Sequence, residues 1–345
     1  MTPTAGTTGG CSDTGTAREA ANDAGAGGIT LALNAAESRV QAAALRDGET
    51  LFAQEWHVPS QGTELLAPAL ADAFARMRLS LHDVRRIACV QGPGSFTGLR
   101  LALSTAAGMA RALGAEQAGL SYTQLLACGP LLPRGAVLWV LTHARRGLVH
   151  MQAFRMPGET TDAASAGVLN AAAVGAPGIP VCVSPALPEA LTPVEAATLD
   201  AAVARIVAAR FDAAAATSET ATSGCDTDAA VARMVTGSRG DAPCAPVCLM
   251  GSGATRNRAV LAQALAELLP GARFLPARFD HPAPALLLPL AAVAAYGPDD
   301  VQPLYVRPCD AEENLPALAA ARGMNPDQAR QELARLTTAP LTTVP

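Results

Sequence analysis

The stretch VQGPGSFTGLR, Val90 to Arg100, constrains the fold of this chain more than any other. An apolar run, RIACV, leads into it, and an alanine-rich segment of helical period follows it, so the local order is strand, tight loop, helix. Gly92 and Gly94 around Pro93 allow positive backbone angles, and Ser95 or Thr97 can cap the first N–H groups of the helix. Such a loop can hold a phosphate on its backbone N–H groups. It can equally be a rigid corner that aims a helix.

The phosphate and nucleophile motifs do not match it. A dinucleotide fingerprint needs glycine where Thr97 stands, and a nucleophile elbow needs glycines at Pro93 and Thr97. The chain also contains no lysine, all 25 of its basic residues being arginine, which excludes a Walker-type loop, a Schiff base and a Ser–Lys dyad. The helix beyond the loop carries a ridge of small residues, Gly98, Ala102, Ala106 and Ala110, flanked by Leu99, Leu103 and Met109. Small residues four apart let another element approach closely. This helix is therefore either an internal core helix or a partner-docking helix.

With 345 residues, half of them hydrophobic, the chain can bury one large or two ordinary cores. Its net charge of −5 argues against binding nucleic acid by charge alone. The eight cysteines (Cys11, Cys89, Cys128, Cys182, Cys225, Cys244, Cys248 and Cys309) form no C-x-x-C pair and read as reduced thiols. The histidines, His57, His82, His143, His150 and His281, never fall at H-x-x-x-H spacing, so no metal site is expected. Neither a signal peptide nor a membrane span is expected, which makes the cytoplasm the expected compartment.

Residues 1–28 are small and polar and read as a disordered extension. ITLALN and the two strands around Asp47-Gly48 form a β-meander. Thr63 to Leu79 has helical spacing through Leu65, Leu66, Leu70, Phe74 and Met77, and Ile87 to Val90 is a fourth strand. After the long helix ending at Leu113, SYTQLLACG reads as a short helix and AVLWVLTHARRGLVHMQAF as a hairpin. Residues of about 157–246, rich in Ala, Thr, Gly and Pro, read largely as an insertion. Then VCLM, GSGA and TRNRAVLAQALAELL repeat the strand, glycine turn, helix order, with Arg256 and Arg258 taken as solvated. A strand at Arg273 to Leu275, a helix at Ala283 to Ala295, a last strand PLYVRP and a helical tail over 311–345 complete the chain. Two such units predict a duplicated actin/Hsp70-like (ribonuclease H-like) two-lobed α/β fold, with lobes at 29–120 and 121–310. In that fold a nucleotide lies between the lobes, and a carboxylate after the first strand serves its metal. Here Asn34 stands at that place, and an amide is a poor ligand for Mg²⁺.

ITLALNAAES, GPGSFTGLRLALSTAAGMARALG, SYTQLLA, VLTHARRGLVHMQAF, MGSGA and PLYVRP, in this order, resemble the TsaB family of tRNA threonylcarbamoyladenosine biosynthesis proteins. The loop signature comprises Gly92, Pro93, Gly94, Ser95, Phe96, Thr97, Gly98 and Arg100, and the resemblance is close over 29–156 and loose over 245–310. It implies a non-catalytic subunit that supports threonylcarbamoyl transfer to adenosine 37 of tRNAs reading ANN codons. The implied partners are the metal-binding catalytic paralogue (TsaD-like), a small ATPase subunit (TsaE-like) and tRNA met through the complex, with a homodimer in the absence of the paralogue. ATP and ADP would be used by the assembly, and no cofactor is assigned to this chain. The implied interface is formed by the first two helices: Leu66, Leu70 and Phe74, then Gly98, Leu99, Ala102, Leu103, Ala106, Met109 and Ala110. Where the family has Asp-Thr and a hairpin Asp, this chain has Asn34-Ala35 and His143, which argues against nucleotide or metal binding by the subunit itself. The alternative is a small-molecule kinase or ATPase of the same fold.

Overall fold

Two β-sheets carry the same strand order in the computed structural model, which describes residues 27–58, 62–157, 187–216, 246–306 and 310–338. The first sheet holds β1 (Ile29–Asn34), β2 (Arg39–Arg46), β3 (Glu49–His57), β4 (Val84–Gly92) and β5 (Glu116–Ser121) in the order β3-β2-β1-β4-β5. β1 to β3 pair antiparallel, and the β2–β3 connection turns on Asp47 and Gly48, both at positive φ, as a two-residue hairpin requires. β4 and β5 run parallel to β1. Parallel neighbours need crossovers, and helices α1 (Gly62–Arg76) and α2 (Phe96–Leu113) supply them.

The second sheet repeats this plan. β6 (Val137–Arg145) and β7 (Leu148–Arg155) pair antiparallel, and both β8 (Glu189–Ala190) and β9 (Glu195–Thr198) add to β7. β10 (Val247–Met250) and β11 (Arg273–Phe274) then join in parallel on the far side of β6. A helix α3 (Tyr122–Ala127) links the sheets, α4 (Leu199–Ala216) precedes β10, and α5 (Ser252–Arg256) with α6 (Arg258–Leu268) precedes β11. Meander, helix, strand, helix, strand occurs twice, the duplicated actin/Hsp70-like α/β fold.

Alternation along β6 divides the core. Leu138 and Val140 join the first sheet's core, while Trp139 and Leu141 face Ala202, Val203 and Ile206 of α4 and Leu261 and Leu265 of α6. After the second sheet α7 (Leu287–Val293) returns to pack on β1, β2 and β5 of the first. Helices α8 (Asp310–Ala321) and α9 (Pro326–Thr338) pack on each other.

Four expectations change. EQAGLS is a strand, β5, which the sequence reading passed over. Part of the expected insertion over 157–246 belongs to the second lobe: β8 pairs with the edge of its sheet, and β9 and α4 supply residues of its core. The helix expected at Ala283 to Ala295 is a 3-10 turn followed by the seven-residue α7. PLYVRP forms no strand over its described residues; only Leu304 N–H reaches the first sheet, donating to Gln91 O at 2.7 Å. Residues 1–26 of the expected extension, and 158–186 and 217–245 of the expected insertion, lie outside the described residues. Among the described residues no helix is long and apolar enough to cross a membrane.

Candidate docking helix and interlobe site

The glycines of the signature loop are explained by what lies against them. A Cβ on Gly94 would fall on the Ala36 carbonyl oxygen and one on Gly98 on that of Ala35, while Gly92, at φ 131°, would place one 2.9 Å from Leu304 O. Ser95 N–H donates to Ala36 O at 2.6 Å, and Ser95 Oγ accepts from Gly98 N–H at 3.3 Å as the N-cap of α2. The loop thus grips the β1–β2 turn. Two of the N–H groups a phosphate would use are already bonded within the chain. At the other end Gly114, in the left-handed region, caps α2.

The small-residue ridge faces inward, so most of the residues expected at the interface belong to the chain's own core. Leu99, Ala102, Leu103, Ala106 and Ala110 are buried in the chain's own core, as are Leu66, Leu70 and Phe74 of α1; Met109 packs half-buried on the same core and Gly98 on the β1–β2 turn. Phe74 meets Phe52 edge to face, with ring centroids 5.7 Å apart. A period of four defines a row but not its direction. Leu99 and Leu103 flank the row on the same side, and burying them turns that side toward the sheet. The outward faces carry two other small rows, Ala67, Ala71 and Ala75 on α1, and Ser104, Gly108 and Ala112 on α2, all exposed. α1 and α2 pack side by side, so these rows belong to one surface.

Beside this surface the signature residues Phe96 and Arg100 meet the segment around Tyr305. Phe96 stacks on Tyr305, centroids 5.8 Å apart; the Arg100 guanidinium lies 3.7 Å over Phe96 and its Nε donates to the Tyr305 hydroxyl at 3.1 Å. Arg111 pairs with Asp300, which also accepts from Gln117 Nε2 at 3.1 Å. Thr97 is exposed on the same rim.

The interlobe cleft is closed by polar contacts centred on Glu37, in the β1–β2 turn. Glu37 Oε1 accepts from Ser252 Oγ at 2.7 Å, and Oε2 lies 3.2 Å from His281 Nδ1. Ser252 Oγ also accepts from His143 N–H at 3.0 Å. His281 therefore faces the carboxylate and not the serine, so these three groups are no nucleophile relay. Asn34 organises the turn: its Oδ1 accepts from Ala36 N–H at 2.9 Å and its Nδ2 donates to Gln41 Oε1 at 2.8 Å. Asp280, buried, accepts from Thr255 Oγ1 at 3.0 Å, and burial pushes its carboxyl above the usual range. Burial, helped by Arg256, pulls His143 below its ordinary value, and burial beside Glu37 pushes the Tyr122 phenol up. Among the described residues no three His, Cys, Asp or Glu side chains gather as a metal cage.

Sequence reading missed Glu37, Ser252, Asp280, Asp300 and Tyr305, and it saw His281 only as an unpaired histidine. The adjacent Asp280-His281-Pro282 in a loop was the available signal.

The fold and these sites define a two-lobed actin-like α/β protein whose glycine loop serves packing. A family model described as TsaD, tRNA N6-adenosine threonylcarbamoyltransferase, matches residues 59–223. The tRNA threonylcarbamoyladenosine biosynthesis protein TsaB of Escherichia coli (strain K12) is 33% identical over 123 residues, 35% of this chain and 52% of that protein. The match thus spans about half the length of that relative. A solved Pseudomonas aeruginosa protein described as similar to peptidase YeaZ superposes with a TM-score of 0.50 at 17% identity, covering 81% of this chain and all of that one. YeaZ of the same organism superposes with a TM-score of 0.46 at 16% identity, over 88% of this chain and 97% of that one. The chain is TsaB-like in sequence and actin-like in fold.

Proposed function

We propose that this chain is a non-catalytic scaffold subunit of the machinery that transfers threonylcarbamoyl to N6 of adenosine 37 in tRNAs reading ANN codons. It docks through the outward faces of α1 and α2 onto the metal-binding catalytic paralogue. A small ATPase subunit joins the pair, and tRNA meets the chain in that assembly. The observation that carries this reading is the pair of exposed small-residue rows, Ala67, Ala71 and Ala75 beside Ser104, Gly108 and Ala112. Side chains this small let helices of a partner approach closely, and half-buried Leu101 and Met109 beside them supply apolar area. The similarity to a tRNA threonylcarbamoyladenosine biosynthesis protein supports the pathway.

The assignment of no nucleotide to this chain is supported by the cleft. Asn34 has both ends of its amide engaged, and the Glu37 carboxylate occupies the Ser252 hydroxyl at the second glycine turn, where a phosphate would meet like charge. The test is complementation: a strain lacking its own TsaB receives this chain with its cognate paralogue, and tRNA nucleosides are analysed. Modification is restored by the native chain and lost with Ala71→Arg plus Ser104→Arg, provided that variant keeps the native circular dichroism. A folded double variant that restores modification fully overturns the docking surface; a native chain that restores none overturns the function.

A further inference from the structure

The signature loop is clamped from two sides. On one side Gly94, Ser95 and Gly98 rest on the Ala35 and Ala36 carbonyls, and the next residue is Glu37, whose carboxylate holds Ser252 of the second lobe and His281. On the other side Gly92 lies against Leu304 O, Leu304 N–H bonds Gln91 O, and Tyr305 engages Phe96 and Arg100. The segment from His281 to Tyr305 joins the two clamps a second time. Pro282 O accepts from Gln41 Nε2 at 2.6 Å, α7 is buried on the first sheet, and Gly297 pairs with Gln117 in both directions at 2.8 and 2.9 Å.

We propose that the loop and this segment couple the rim of α2 to the interlobe cleft, so that drawing Phe96, Arg100 or Tyr305 aside shifts the loop on Ala35 and Ala36 and loosens the Glu37 contacts. The contacts at the rim are exposed and individually weak, so a protein seated on α2 can displace them without opening the core. The glycines leave no slack on the inner side, because the loop touches the turn backbone directly. A displacement there is passed on. The partner's part in this rests on the docking reading above; the coupling itself is a property of the single chain.

Hydrogen exchange followed by mass spectrometry on the full chain tests it. Arg100→Ala with Tyr305→Ala is expected to speed exchange at residues 34–38 and 252–255 about tenfold, or about 1.4 kcal/mol. Glu37→Gln is expected to speed exchange at residues 95–98 in turn, because coupling is reciprocal. Unchanged exchange in α6 and β10 shows that both variants remain folded. Effects confined to the mutated end, in either variant, overturn the coupling. Because no partner is present, that failure leaves the docking reading untouched, and a failure to dock leaves the coupling untouched.

Discussion

Gly98 and Gly108 lie ten residues apart in one helix, and the same substitution at each should have opposite effects on stability. In a helix interior alanine is favoured over glycine by about 0.5–1 kcal/mol, because glycine loses more backbone freedom on folding. Nothing lies within 4 Å of a Cβ on Gly108, so Gly108→Ala is expected to stabilise by about that amount. A Cβ on Gly98 would fall on the Ala35 carbonyl oxygen, backbone that cannot swing aside. Overpacking of this kind costs about 1–3 kcal/mol, which exceeds the helix gain and leaves Gly98→Ala less stable by about 1 kcal/mol. The two variants should therefore differ by about 2 kcal/mol. With a urea m-value of about 3 kcal/mol/M that is about 0.7 M between midpoints, well resolved by circular dichroism. If both variants shift in the same direction by the same amount, the loop does not grip the turn as described, and the explanation of the signature glycines fails.

Three further predictions are independent of that one. Ala106→Arg should abolish folding, since an unpaired buried guanidinium costs several kcal/mol of a total of about 5–15, whereas exposed Ser104→Arg should keep its unfolding free energy, measured in urea, within about 0.5 kcal/mol of the native chain. The lowered His143 means the unfolded chain binds that proton first as pH falls below 6.5, so its contribution to stability is present above 6.5 and lost on the acid side. His143→Gln should flatten the loss between pH 7 and pH 5, measured as urea midpoints. Burial pushes the Cys89 thiol far up and Cys128 up to about 12, so peptide mapping after alkylation at neutral pH should find both unmodified in the native chain and modified in urea.

The meander and both strand, glycine turn, helix units were legible because period-two runs, an Asp-Gly turn and helical spacing each have a local cause. β5 was not, since EQAGLS has little strand character of its own; it pairs with β4 on one side and Gly297 on the other, and tertiary context makes it a strand. α4 was hidden by its alanines, which resemble low-complexity sequence yet are the best helix formers. Which way the ridge of α2 faced depended on Leu99 and Leu103, whose area outweighs that of the alanines beside them. The Glu37–Ser252 contact joins residues 215 apart in the chain, and no local pattern announces it.

The most direct test of the scaffold assignment is size-exclusion chromatography with light scattering of this chain mixed with the metal-binding paralogue from the same organism. A one-to-one complex with the native chain, lost with folded Ala71→Arg plus Ser104→Arg, is the predicted result. Separate elution of the two native proteins at concentrations of tens of micromolar would contradict it.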